Sequence, residues 1–185
     1  MSGCNFISKL NKLRKSSSDS IDNVDSFDGF KEYMHVVRDA EKDLKAVLRQ
    51  VNDSAKKTLV LLCGSAGDGK SHLLSYLKNS DKENLLENYI IHNDATESNA
   101  PEKTAIDTLC EVLSGFRDEN LDRPGQNIIL AINLGVLSNF IESKYGEEFK
   151  SLKQYVLDAN ILSSKVNEKG YDPNSHFQHI SFSDY

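Results

Sequence analysis

Cysteine is scarce and scattered. Cys4, Cys63 and Cys110 form no CxxC pair, which excludes a zinc knuckle or dithiol redox centre built on that spacing. Cys63 ends an apolar run and reads as a small buried hydrophobe. No apolar run approaches the roughly 20 residues needed to span a bilayer. The stretch holding Lys9, Lys12, Arg14 and Lys15 is not followed by an apolar one, so no secretory signal is expected. His35, His72, His92, His176 and His179 make no HExxH and are expected to be surface or satisfied side chains. The net charge of −6 lacks the basic excess of a nucleic-acid groove. The Lys9–Lys15 cluster, spaced helically with Phe6, Leu10 and Leu13, reads first as a solvated helix face and second as a local basic patch. These absences together describe a cytoplasmic protein with reduced thiols and no membrane partner.

What is present suffices for one core. The 185 residues, 38% of them hydrophobic, suit a single domain with an N-terminal extension. Residues 1–26 read as a basic and then polar flexible segment, ending in the serine-rich run from Ser16 to Asn23. From Phe27 to Val51 apolar residues recur at helical spacing and predict one amphipathic helix. Leu59–Cys63 is a short continuous apolar run, the pattern of a strand buried on both faces. A helix is predicted over residues 72–77, a strand over 89–92, and a helix from Pro101 through Phe116. A strand over 128–133 follows, then helices over 136–144 and 149–157 and a last strand over 176–182. Strands alternating with helices predict an α/β sandwich with a largely parallel sheet.

Between the first strand and the next helix stands Gly64-Ser65-Ala66-Gly67-Asp68-Gly69-Lys70-Ser71, running into His72. This matches GxxxxGK[ST], and each residue type has a physical task. The glycines allow the backbone to turn its amides toward phosphate oxygens, and the helix that follows adds its positive end. Lys70 reaches the β- and γ-phosphates, and the Ser71 hydroxyl ligates magnesium. Residues 27–185 therefore read as a P-loop NTPase core with a leading helix, taking ATP and Mg2+. A magnesium ion also needs an acidic residue at a nearby strand end. Two ends compete: Asp94 follows the second strand with Glu97 close behind, and the third strand ends on neutral Asn133. Asp94 is assigned to the metal shell, with helix capping as its alternative role. Asn133 is assigned to sensing the γ-phosphate and Glu97 to polarising the attacking water. No NKxD follows the loop, which disfavours a GTPase, and more than 60 residues precede it, which disfavours a small-metabolite kinase. A long helix ahead of the first strand is more typical of AAA-like and STAND-like ATPases, an analogy at the level of fold.

Several blocks resemble the DptF family, the phosphorothioation-dependent DNA restriction proteins of bacteria. They are Leu61–Leu74, His92–Ser98, Pro101–Leu109, Ile129–Leu137 and Phe177–Tyr185. The runs Asn93-Asp94-Ala95-Thr96-Glu97-Ser98 and Ala131-Ile132-Asn133-Leu134-Gly135-Val136-Leu137 are the more particular ones. The resemblance implies a bacterial defence ATPase that works with DptG-like and DptH-like partners and reaches DNA through that complex. Members of that family are considerably longer, so the resemblance also implies a chain truncated at its C-terminal side, without the lid or a finger arginine. Turnover is then expected to need partners or the C-terminal region. The alternative is a nucleotide-gated scaffold that binds ATP with little hydrolysis. Phosphoryl transfer to a small molecule has no support outside the loop.

Overall fold

The computed structural model describes residues 35–93, 104–163 and 171–182. The expectations placed on residues 1–26, Asp94, Glu97 and Pro101 lie outside them. Leu59–Gly64 (β1) is buried at every position, as its unbroken apolar run requires. It pairs in parallel with Asn127–Asn133 (β3) on one side and with Phe177–Ser181 (β4) on the other. Tyr89–His92 (β2) adds to the far side of β3. The result is a four-stranded, all-parallel sheet in the order β2-β3-β1-β4.

Helices cover both faces. They are Asp39–Asn52 (α1), Lys70–Ser80 (α2), Ala105–Val112 (α3), Leu134–Ile141 (α4) and Lys150–Asp158 (α5). Strand side chains alternate between faces. Val60, Leu62, Ile129, Ala131 and Ile180 therefore pack in one core with Leu44 and Leu48 of α1 and Leu73, Leu74 and Leu77 of α2. Leu59, Leu61, Cys63, Ile128, Leu130, Ile132 and Phe177 pack in the other with Leu109 of α3, Leu137 and Phe140 of α4, and Leu152 and Val156 of α5. The expected layering and parallel sheet are present, and Cys63 and Cys110 are buried free thiols. Among the described residues no helix is long and apolar enough to cross a membrane.

Three boundaries differ from the periodicity. Of the helix expected over residues 27–51, positions 27–34 lie outside the described residues, and the described helix begins at Asp39, where Arg38 ahead of it takes extended dihedrals, φ −108° and ψ 160°. Residues 35–38 ahead of it are drawn instead onto α2 and the glycine-rich loop by side-chain bonds described below. The helix expected to run through Phe116 stops at Val112, and Ser114–Phe116 forms a 3-10 turn. Gly115 offers its carbonyl there to Lys57 Nζ at 2.7 Å. The helix expected from Val136 starts two residues earlier, because Asn133 caps it.

Ahead of α3, Thr104 and Asp107 form a reciprocal capping box. Asp107 also accepts a 2.6 Å bond from the Tyr145 hydroxyl, which ties α3 to the segment after α4. These bonds, Tyr145 first and Thr104 next, hold the Asp107 carboxyl down at about 2. A carboxyl depressed in the fold contributes stability above its ordinary range near 3.8, and loses it as pH falls through the folded value. Asp107→Asn is therefore expected to lower the melting temperature at about pH 6, with the gap to wild type closing between about pH 4 and about pH 2. Thermal melts across that range check it; a gap that stays constant would mean that the carboxylate charge contributes nothing.

Candidate functional site

The carboxyl ends of β1 and β3 lie side by side, with Gly64 in register with Asn133. The chain leaves them in opposite directions. After β1 it enters α2 on one face of the sheet, and after β3 it enters α4 on the other. Such a divergence opens a crevice at the end of an open parallel sheet, the usual place for a ligand. Residues 65–69 fill the turn at that crevice.

Two features make the turn possible. Gly69 has φ 91° and Gly67 φ 86°, a region that side-chain-bearing residues rarely occupy. At Gly64 the limit is space: a Cβ there would lie 2.6 Å from Asp68 Oδ2 and 2.9 Å from Phe182 Cβ. The Ser65 amide donates to the Asp68 carboxylate, and Lys70 Nζ donates to Ser65 O at 2.6 Å, curling the loop over its own lysine. Gly69 is the N-cap of α2 and supplies no capping side chain, and the first turn of α2 holds no acidic residue. Its positive end therefore faces the loop without a local carboxylate of its own helix. The arrangement combines turned amides, a helix N-terminus and a primary ammonium, and this combination suits an anion.

The structure brings Asn133 to this loop. Its Oδ1 accepts the Gly135 amide at 2.8 Å and caps α4, so the oxygen has a structural task. On β2, His92 lies opposite Leu130, and burial lowers its pKa, leaving a neutral imidazole at neutral pH. Asn93 follows, with a buried Oδ1 that accepts no hydrogen bond from a described residue. Asp94 comes next in the chain. Gly64 to His72 and Asn133 are thus gathered at one end of the sheet, while the placement of Asp94 and Glu97 is outside the described residues.

No family model, curated protein or solved structure matches the chain.

Sequence reasoning missed two residues there. Arg38, where no arginine was expected near the loop, donates from its guanidinium to Asp68 O at 2.8 Å and borders Gly69. His35 stacks on Tyr76 with ring centroids 3.4 Å apart and planes 8° apart. Its Nε2 lies 2.8 Å from Glu41 Oε2 and its Nδ1 3.3 Å from His72 Nε2. Glu41, buried although charged, also accepts from Lys45 at 2.7 Å. Burial raises the Glu41 pKa, but the hydrogen bonds from Lys45 and then His35 outweigh it and hold the carboxyl below its ordinary value. The helical spacing of residues 27–51 ran straight across His35 and Arg38, so periodicity carried no sign of either role. The expectation of satisfied histidines agrees with the other partners seen: His176 Nδ1 lies 2.8 Å from Lys57 O, and His179 Nδ1 lies 2.9 Å from the Tyr155 hydroxyl.

A cavity of about 100 Å³ opens between residues 35–41 and the first turn of α2, bordered by Gly69. Among the described residues no group of three or more His, Cys, Asp or Glu side chains could hold a metal ion.

Proposed function

We propose that the chain is a P-loop NTPase that binds ATP with magnesium at the carboxyl end of β1, as the ATP-hydrolysing subunit of a bacterial phosphorothioation-dependent DNA restriction system. One observation carries the nucleotide part: a GxxxxGK[ST] loop with two left-handed glycines joins a buried parallel strand to a helix with no side-chain N-cap. In this reading the loop amides and Lys70 hold the β- and γ-phosphates, and the Ser71 hydroxyl holds magnesium. Asp94 supports the metal through water, Asn133 meets the γ-phosphate and Glu97 polarises water. The restriction part rests on the family-like blocks around Asn93–Ser98 and Ala131–Leu137, with DptG-like and DptH-like partners that bring the DNA. Restriction of unmodified DNA in cells carrying Lys70→Ala should be lost. Restriction that persists undiminished would remove an energy-driven role for this subunit.

A second reading has its own observation. The strand beside β1 ends on a neutral asparagine whose oxygen caps a helix, so no carboxylate stands at that strand end. A nucleotide-gated scaffold needs none there. Tight ATP binding without turnover in the assembled complex would favour the scaffold, whereas turnover lost on Glu97→Gln would exclude it.

A further inference from the structure

We infer that the cavity between residues 35–41 and the first turn of α2 holds the nucleobase of the bound nucleotide, with His72, Ala40 and Leu73 as walls and Arg38 at the rim. This rests on the nucleotide reading and adds to it a specificity that the phosphate loop cannot supply, since the loop recognises only charge and phosphate geometry.

Four observations point the same way. The cavity borders Gly69, the residue before Lys70, so a molecule whose phosphates lie on the loop has the cavity as its continuation. Its lining suits a flat heterocycle. Ala40, Leu73 and Phe182 are apolar, and two imidazoles, a guanidinium and a carboxylate stand around them. That mixture of apolar faces with a few polar edges is what small-molecule sites use to take and orient a ring. The polar wall is already fixed, because Glu41, His72 and Tyr76 each hold the His35 ring. A wall ordered before binding costs little entropy when the ring arrives. Arg38 joins the two halves: it bonds Asp68 O in the loop and lines the cavity. A free phosphate or triphosphate has no use for the apolar part, so a charged ligand lacking a base would leave this cavity unused.

The test compares two probes on the full chain by calorimetry in magnesium: ATP and inorganic tripolyphosphate. ATP is expected to bind at least about tenfold more tightly, a difference typical of one well-buried ring. Ala40→Leu, which fills the cavity from α1, should bring ATP down to the tripolyphosphate affinity while leaving tripolyphosphate unchanged. Ala40→Val, which fills less of the cavity, should weaken ATP alone and serves if the larger substitution does not fold. Equal affinity of the wild-type chain for both probes overturns the base site and leaves the phosphate loop standing. A preference for ATP that survives in a folded Ala40→Leu chain also overturns it, since the base then lies elsewhere. Binding of neither probe removes the nucleotide reading itself.

Discussion

Lys70→Ala should weaken binding of ATP with magnesium by about a hundredfold or more, because it removes charge-assisted hydrogen bonds to phosphate. In the structure Lys70 Nζ donates to Ser65 O at 2.6 Å. That bond to a neutral carbonyl holds the ammonium over the loop, where exchange for a phosphate oxygen is favoured by full charge. Hydrogen bonds involving an ion contribute about 1.5–3 kcal/mol, and two phosphates compound the effect. The fold should survive, since Lys70 is the first residue of α2 and is only partly buried, and alanine is the best helix former. Calorimetry on the two chains, with circular dichroism to show both are folded, decides the matter. Unchanged affinity in the variant would mean that the nucleotide, if bound, does not use this loop. A folded wild-type chain that binds nothing would leave the scaffold reading without its nucleotide gate.

The second large effect lies at the opposite end of β1. Lys57 is 8% exposed, and its ammonium donates to three backbone carbonyls: Gly115 at 2.7 Å, Asn120 at 2.8 Å and Arg123 at 3.0 Å. It also lies 5.3 Å from the centre of the Phe116 ring. One side chain thus fastens the whole passage from α3 to β3 onto the start of the central strand. Burial, and after it the charge of Arg123, pulls the Lys57 pKa below its ordinary value. All three of its protons nevertheless have acceptors, which keeps the ammonium bound in place. Lys57→Met keeps the length and apolar stem, takes that donor from Gly115 O and Arg123 O, and leaves Asn120 O with the Arg123 amide at 3.0 Å. We expect a loss of about 2–4 kcal/mol, which for a chain of this size lowers the melting temperature by roughly 5–15 °C. Thermal melts and urea titrations measure it. A loss within the ordinary scatter of surface substitutions, about 0.5 kcal/mol, would show that water serves those carbonyls equally well. Nucleotide affinity of the folded variant should stay near wild type, because the substitution is at the amino end of the sheet and the loop at the carboxyl end.

Some elements were legible because their cause is local. The run Leu59–Cys63 announced a strand covered on both faces, since only such a strand tolerates apolar residues at every position; the burial of all six residues of β1 agrees. The loop was legible for the same reason. Left-handed turns favour glycine whatever surrounds them, and Gly67 and Gly69 take that conformation. Asn133 was placed at a strand end by the apolar run before it, and β3 ends on it.

Other features depend on pairs of residues distant in the chain. The order β2-β3-β1-β4 is a matter of which strand finds which neighbour, and the alternating pattern within each strand says nothing of that. Arg38 meets Asp68 across 30 positions, His35 meets His72 across 37, and Lys57 reaches Arg123 across 66. Each of these polar side chains could equally have faced water, so composition and spacing were silent about them. The start of α1 at Asp39 belongs here too, because apolar spacing alone does not place it there, while His35 and Arg38 just ahead of it bond to α2 and the loop. The sequence by itself determined the elements and the glycine-rich turn, because dihedral limits and one-dimensional burial patterns act within a few residues. Tertiary structure alone decided which side chains stand around that turn, because long-range packing chose their partners.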